Sequence, residues 1–160
     1  MRSFIMVTRW CLLLITLLLT GCFAFPEARQ GSAEHTVASS FSSLPDKAVL
    51  YVYRKVDDFN HTDLDLEVNG EDVVTKGDCY LRIELPPGKY NLEADITGGY
   101  GIEEEMDLEL GAGQVTFIEM EPISRYLVPN VNKLHARTAE QARRDIKEHE
   151  LCALKVVELD

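Results

Sequence analysis

The chain of 160 residues contains four cysteines, and the surroundings of one of them predict covalent chemistry. Cys22 follows the small residues Thr20 and Gly21, at the end of an apolar run that begins at Trp10. A cysteine thiolate is a nucleophile, and the small residues before it leave room at a scissile bond for cleavage of the chain. The sequence therefore predicts that the sulfur of Cys22 is modified.

The N-terminal segment positions this cysteine. Its uncharged stretch Trp10–Leu19 follows Arg2 and Arg9 and has about half of the roughly 20 residues that a membrane-spanning helix needs. This pattern is typical of a signal-peptide core. The motif Leu19-Thr20-Gly21-Cys22 resembles the processing signal of bacterial lipoproteins, which implies a signal peptide over residues 1–21.

In that pattern Cys22 receives a diacylglyceryl group, becomes the first residue after cleavage and gains a further acyl chain. Two or more chains anchor a protein stably, whereas one chain holds it only marginally. We therefore expect the mature protein to be bound to the membrane through Cys22. The alternative is an ordinary secretory signal with a chance cysteine.

The residue after the cysteine bears on the destination of the protein. Phe23 stands where the enterobacterial sorting rule would place Asp for retention in the inner membrane. The sequence therefore favours delivery to the outer membrane, with the protein facing the periplasm.

The charge of the chain excludes one class of partner. Lys and Arg number 16 against 27 Asp and Glu, and removal of residues 1–21 changes the formal net charge from −11 to −13 because two arginines are lost. Such a surface repels nucleic acids and anionic lipid headgroups. We expect no nucleic-acid partner.

The mature chain divides at Pro45. Residues 22–44 are rich in Ser, Ala and Gly without sustained periodicity, which predicts a flexible tether with a root-mean-square span of roughly 25 Å. Residues 45–160 suffice for one compact domain.

Alternation of apolar and polar residues between turn residues predicts a mainly β domain. Ala48–Tyr53 is nearly continuous in β-forming residues and predicts a central strand. Asn69-Gly70 predicts a hairpin turn because both residues tolerate positive φ, and Pro86-Pro87-Gly88 predicts another turn. The other predicted strands are Leu64–Val68, a return strand from Val73, Tyr80–Leu85, Lys89–Thr97, Ile102–Leu110, Val115–Met120 and Val131–Ala136.

A helix is predicted near the C-terminus. Thr138 and Gln141 have capping-box spacing, and Ala139, Ala142 and Ile146 lie close to one helical face. Many short, evenly spaced strands favour a sandwich or partial barrel. The predicted fold class is mainly β, an antiparallel β-sandwich of about seven or eight strands with one short C-terminal α-helix.

Short motifs in a fixed order carry a resemblance to a known family. They are Leu44–Ala48, Leu50–Arg54, Val68–Gly70, Pro86–Tyr90, Ala112-Gly113 and Leu151-Cys152. In this order they resemble a lipoprotein family called the domain of unknown function 2846, over residues 44–154. The resemblance implies a transthyretin-like or carbohydrate-module-like sandwich and transfers no catalytic residue. The acidic strand at Glu103-Glu104-Glu105 and the presence of Cys79 depart from the family pattern.

Two thiols, Cys79 and Cys152, remain in a mature protein that faces an oxidising compartment. A disulfide closing a loop of about 70 residues would stabilise the fold by up to roughly 4 kcal/mol in the chain-entropy model. Alternatively, Cys79 is a small buried residue on an alternating strand. The family resemblance supports only Cys152, so both interpretations stay open.

Oxygen-rich residues crowd one segment and raise the question of a metal site. They are Asp57, Asp58, Asn60, His61, Asp63, Asp65 and Glu67. An EF-hand register from Asp58 fails because Asp63 stands where glycine is needed and Asn69 where a bidentate glutamate is needed. The four histidines lack the close pairing of zinc enzymes. We predict a solvated loop, no metal and no cofactor.

Linear motifs of enzymes are missing from the sequence. It has no Gly-x-Ser-x-Gly elbow, no glycine-rich phosphate loop with lysine and no cysteine with an obvious histidine partner. Two carboxylates that meet in space would still escape a linear search. The sequence predicts no catalytic residue and a protein that is not an enzyme.

A partner surface is predicted at Arg125, Tyr126 and Leu127, where apolar side chains lie beside an arginine in a predicted loop. Exposed apolar patches mark interfaces, and Arg and Tyr are frequent anchors there. The alternative is that residues 126–128 cover the open end of the sandwich.

Tyrosines suggest a different partner. Tyr90, Tyr100 and Tyr126 would stack on sugars if they formed an exposed row, whereas burial of Tyr90 with an apolar patch at Leu127 would favour a protein. The sequence thus predicts a non-catalytic interaction or assembly module of the envelope with a protein partner. A glycan- or peptidoglycan-binding module is the alternative, and an accessory lipoprotein of a secretion machine has fold-level support only.

Overall fold

The computed structural model of the protein describes residues 27–55, 64–96, 101–102, 104–123 and 130–160. The fold is mainly β, with two sheets and two helices in this part of the chain. The strands are β1 (Ala48–Tyr53), β2 (Leu64–Val68), β3 (Glu71–Val74), β4 (Cys79–Leu85), β5 (Gly88–Ile96), β6 (Gly101–Ile102), β7 (Glu104–Leu110), β8 (Val115–Ile123), β9 (Asn130–Arg137), β10 (Cys152–Ala153) and β11 (Val157–Glu158). The helices are α1 (Ala33–Ala38) and α2 (Ala139–Glu148).

The larger sheet has the strand order β10-β4-β1-β8-β9-β6, and β11 also pairs with β4. Its central strand β1 is antiparallel to β4 but parallel to β8. The prediction of a purely antiparallel fold is therefore wrong for this sheet. The chain between β1 and β8 builds the other sheet, and so long a connection allows a parallel return. The alternation of apolar and polar residues along a strand does not indicate whether the neighbouring strand runs parallel or antiparallel to it.

The smaller sheet has the order β3-β2-β5-β7 and is antiparallel throughout. Its β2–β3 hairpin turns at Asn69 and Gly70, which have φ of 52° and 78°. Positive φ at both turn residues matches the twist of the flanking strands. The predicted hairpin is thus confirmed.

Strand β1 is buried on both faces, which explains its continuous run of β-forming residues. Leu50 and Val52 belong to a core cluster that draws buried side chains from both sheets. Val49 and Tyr51 belong to a second cluster, which includes residues of α1 and α2. The predicted central strand is confirmed, because β1 has a paired neighbour on each side.

The segment from Glu27 to Leu44 packs onto the larger sheet. Helix α1 begins after Ser32, whose hydroxyl accepts a hydrogen bond from the amide of His35 at 3.1 Å. Ala38 is fully buried, and Phe41 lies with its ring centroid 5.1 Å from that of Tyr51. The prediction of a flexible tether is therefore wrong from Glu27 onward, and residues 22–26 lie outside the described residues. The prediction relied on the Ser-, Ala- and Gly-rich composition of this segment and overlooked the few apolar side chains that contact the aromatic face of the sheet.

The predicted C-terminal helix is confirmed as α2. Thr138 accepts from the amide of Gln141, and the Gln141 side chain accepts from the amide of Thr138, each at 3.2 Å. This capping box satisfies two amides that the helix leaves without a partner. Ala142 and Ile146 are the buried side chains of the helix.

The sequence did not predict the last two strands. Residues 152–158, the C-terminal strap, run parallel to β4 from the pair Cys152 and Cys79 to the pair Glu158 and Glu84. On the other side of the strap, Glu27 forms an isolated antiparallel bridge with Leu154. The strap therefore pairs with the edge of β4, and the start of the described chain pairs with the other side of the strap.

Candidate functional site

The outer face of the smaller sheet is lined with carboxylates. Alternate residues of its strands, such as Leu66 and Leu92, are buried, so the intervening residues point outward. Four acidic residues lie directly opposite one another across the four strands, in the order Asp72, Glu67, Glu93 and Glu105. We call these four residues the carboxylate row. Directly opposite residues in an antiparallel sheet have Cβ atoms about 4.5–5.5 Å apart.

The acidity extends over the whole smaller sheet. Its four strands contain ten acidic residues and a single basic residue, Lys89. The strand pairing places Lys89 opposite Glu109. A surface with this excess of one charge attracts ligands and partners of the opposite charge.

An open depression adjoins the carboxylate row on the same sheet. It is lined by Asn69, Lys89, Tyr90, Asn91, Asp107, Leu108 and Glu109. Asn69 accepts a hydrogen bond from the amide of Asn91 at 2.8 Å, and the Asn91 side chain donates to Asp107 at 3.0 Å. Amides and carboxylates of this kind can bind hydroxyl groups or basic side chains.

Tyr90 lines this depression but is only partly exposed. Its ring is half-buried and packs against the core that both sheets share. Its hydroxyl donates to the carbonyl oxygen of Pro86 at 2.7 Å. Tyr100 and Tyr126 lie outside the described residues, so the predicted row of tyrosines is untested.

A buried ion-pair cluster lies where α2 meets the larger sheet. Glu119 is 3 % exposed and pairs with Lys55 at 2.8 Å and with Arg137 at 2.7 Å. Asp145 of α2 accepts from the Tyr53 hydroxyl at 2.9 Å and lies 3.4 Å from the Lys55 ammonium. Because cations compensate the buried carboxylate, the cluster holds the helix on the sheet.

The same contacts shift the pKa of two groups. Burial raises the pKa of Tyr53, and its bond to Asp145 raises that pKa further. Burial alone would lower the pKa of Lys55, but Glu119 and Asp145 raise it on balance. Both shifts favour the protonated forms, as expected for a hydroxyl and an ammonium that donate to carboxylates.

The buried cation Arg82 connects the N-terminal segment to the sheet. The Arg82 guanidinium donates to the Tyr51 hydroxyl at 2.8 Å, to the Ser42 carbonyl oxygen at 2.9 Å and to Glu84 at 2.8 Å. Burial raises the pKa of the nearby Tyr80 to about 12. These contacts connect residues of the N-terminal segment, β1 and β4.

The structure joins the two cysteines whose pairing the sequence left open. Cys79 and Cys152 form a disulfide, and their Cα atoms lie 4.3 Å apart on adjacent parallel strands. The bond fixes the first residue of the C-terminal strap to the first residue of β4.

Several predicted site residues lie outside the described residues. They are the lipidation site Cys22 and the candidate partner-binding residues Arg125, Tyr126 and Leu127. Of the oxygen-rich segment, residues 57–63 also lie outside, whereas Asp65 and Glu67 belong to β2. Within the described ranges no three His, Cys, Asp or Glu side chains gather where they could hold one metal ion.

The described helices are short. Neither α1 nor α2 is long and apolar enough to cross a membrane. This finding covers the described part of the chain only.

Comparison with known proteins adds no family. No protein-family model matches this chain, and no curated protein matches it. The resemblance to the domain of unknown function 2846 therefore stays a prediction from the motifs.

Sequence reasoning missed the carboxylate row, although part of its signal is visible. Glu67 and Glu105 occupy outward positions of alternating strands, so an acidic face could be expected from each strand separately. That four carboxylates share one row depends on the register of three strand pairs. Register is set by turns and core packing, which a pattern within one strand does not specify.

Proposed function

We propose that this protein is a lipid-anchored module of the bacterial envelope that binds a basic protein segment through the outer face of its smaller sheet and catalyses no reaction. The observation that carries the proposal is the carboxylate row. The motif that ends at Cys22 supports the anchor, and Phe23 supports delivery to the outer membrane.

Electrostatics supports a basic partner. Like charges directly opposite in a sheet destabilise it, and opposite charges stabilise it by roughly 0.2–1 kcal/mol for each pair. A sheet selected only for stability would alternate acidic and basic residues across its strands. A partner that brings Lys or Arg to the row would remove the repulsion, and complementary charge would also speed the encounter.

The two sheets supply a firm support for such a surface. Because one core cluster contains buried side chains from both sheets, we infer that they form a sandwich. The outward side chains then stand on strands whose inward side chains are packed. A surface of this kind needs little reorganisation on binding, which limits the entropy cost of association.

A glycan is the second candidate, favoured by one observation. The depression beside the row presents Asn91 and Asp107, whose polar groups suit sugar hydroxyls. The half-buried ring of Tyr90 offers less stacking surface than a typical sugar platform, so the glycan remains the alternative. For the accessory role in a secretion machine, the described residues offer no specific support.

The proposed function can be tested by capture in living cells. The lipidated protein is crosslinked, purified and subjected to mass spectrometry of both proteins and attached glycans, with Cys22→Ala as the control for the anchor. We expect an envelope protein whose crosslinked peptide is rich in Lys or Arg and is joined to a peptide containing Lys89, the basic residue on the acidic face.

Other outcomes separate the candidates. Recovery of glycan fragments alone would favour the glycan-binding module. Equal recovery of the basic partner with Cys22→Ala would contradict the anchored assembly role. Crosslinks confined to residues 124–129 would move the binding surface to the loop with Arg125.

A further inference from the structure

The beginning of the described chain is fixed at one corner of the larger sheet. Glu27 bridges Leu154 of the C-terminal strap, and the amide of Ala28 donates to the carbonyl oxygen of Ala153 at 2.8 Å. Glu27 also forms an ion pair with Lys76. We call residues 27–30, 75–79 and 152–155, which meet here, the anchor corner.

The chain between Cys22 and this corner is short. Five residue steps separate Cys22 from Glu27, and an extended chain covers at most roughly 3.6 Å in each step, so their Cα atoms lie within about 18 Å. A lipid on Cys22 would therefore keep the anchor corner close to the headgroups. A flexible tether up to residue 44 would have imposed no such orientation.

The charge of the anchor corner also favours a position close to the headgroups. The anchor corner contains three basic residues, Arg29, Lys76 and Lys155, and two acidic ones, Glu27 and Asp78. Anionic headgroups attract exposed basic residues. They repel the smaller sheet, whose four strands contain ten acidic residues and one lysine. The corner is thus the part of this acidic protein that is suited to lie near a bilayer.

We infer that the anchor corner rests against the bilayer surface and that the short chain from Cys22 holds the protein in this orientation. The inference rests on the proposed lipidation of Cys22. It specifies the proposed function further, because the acidic face is then directed away from anionic headgroups and stays accessible to a partner.

Lysines near the two ends of β4 allow a test. Lys76 belongs to the anchor corner and precedes β4 by three residues. Lys155 lies between strap residues that pair with Tyr80 and with Ile83, beside the middle of β4, and is therefore not compared. Lys47 forms an ion pair with Glu158 beside the other end of the strand, and Lys89 follows the turn after that end. The six residue steps of β4, roughly 20 Å, lie between Lys76 and the two other lysines, Lys47 and Lys89.

The experiment uses the mature lipidated protein in vesicles of phosphatidylcholine and phosphatidylglycerol. An amine-reactive ester attached to a lipid headgroup acylates lysines near the surface, and mass spectrometry quantifies each site. The yield at each lysine is divided by its yield with a water-soluble form of the same ester, which corrects for exposure and ion pairing. We expect a severalfold preference for Lys76 over Lys47 and Lys89.

A matched variant tests the role of the short chain. A Gly/Ser spacer of about 20 residues, with a random-coil span of roughly 25 Å, is inserted between Ala24 and Phe25. We expect the spacer to abolish the preference, and a preference that survives it would overturn the inference. Vesicle-bound native protein with equal acylation at Lys76, Lys47 and Lys89 would also overturn the inference while leaving the proposed anchor intact. A protein that does not partition into vesicles would overturn both.

Discussion

Tyr53 and Lys55 show how single residues of the ion-pair cluster couple the fold to pH. In the folded protein both groups donate to carboxylates of other elements, Tyr53 to Asp145 and Lys55 to Glu119. Both pKa values are raised relative to the ordinary values of 10.0 and 10.5. The folded state therefore keeps protons that the unfolded state releases as the solution becomes alkaline.

Stability should fall as the pH rises through 10.0, where half of the unfolded tyrosine is ionised. The stabilising contribution of both groups is fully present below that pH and is lost as the pH approaches their raised pKa values. Urea unfolding at several pH values on either side of this point measures the effect. Tyr53→Phe should lower the free energy of unfolding at neutral pH by about 1 kcal/mol because Asp145 loses a donor. It should also make the alkaline decline shallower, and an unchanged decline would contradict this role of Tyr53.

Glu67 lies between two acidic neighbours of the carboxylate row, Asp72 and Glu93. Replacing Glu67 with Gln removes repulsion on both sides and should raise the free energy of unfolding by roughly 0.2–1 kcal/mol at low salt. The gain should shrink as added salt screens the charges. Asp160→Asn, an equal change of charge at the exposed C-terminal residue, is the control. Destabilisation by Glu67→Gln would show that this carboxylate contributes to folding.

Among the elements, the C-terminal strap depends on the disulfide between Cys79 and Cys152, which are separated by 73 residues in sequence. Replacing both cysteines with alanine should lower the free energy of unfolding by roughly 2–4 kcal/mol, because the unfolded chain regains freedom. Denaturant unfolding measures the loss, with the native protein as reference. Non-reducing peptide mapping of the mature protein checks the bond itself, and two alkylatable thiols would contradict it.

The N-terminal segment makes the other test at this scale. Phe41 packs against Tyr51, Tyr80 and Phe117 with ring centroids 5.1–6.2 Å apart. Because its ring is only half-buried, Phe41→Ala should cost roughly 1–3 kcal/mol, less than the loss of a fully buried ring. Val37→Ala in α1, whose side chain is 43 % exposed, should change stability little. An unchanged stability in Phe41→Ala would restore the tether prediction.

These elements also show which features of the fold can be predicted from the sequence. Local signals predicted β1, the turn at Asn69-Gly70 and the capping box of α2, because each depends on residues close in sequence. The packing of residues 27–44, the two-residue strands β10 and β11 and the parallel pairing of β1 with β8 depend on distant parts of the chain. The acidic residues of each strand can be recognised from the sequence. The carboxylate row cannot, because it depends on the register between strands that are distant in the chain.

At the scale of the whole molecule, the proposal combines an anchor with charge that is unevenly distributed. The chain from Cys22 reaches the anchor corner, where basic residues outnumber acidic ones by one, while the smaller sheet carries the carboxylate row. A membrane-bound protein arranged in this way would present its acidic face to basic segments of other envelope proteins. Binding should therefore weaken with ionic strength, mainly through a slower association rate.

The most direct test of the proposed function is the yield of the crosslinked complex in cells that produce the lipidated protein with Glu67→Gln and Glu93→Gln. Its control carries Asp46→Asn and Asp160→Asn, an equal change of net charge at exposed positions outside the smaller sheet. We predict a severalfold loss of the complex with the basic partner for the variant in the row and an unchanged yield for the control. Equal yields from the two proteins would contradict the claim that the acidic face binds the partner.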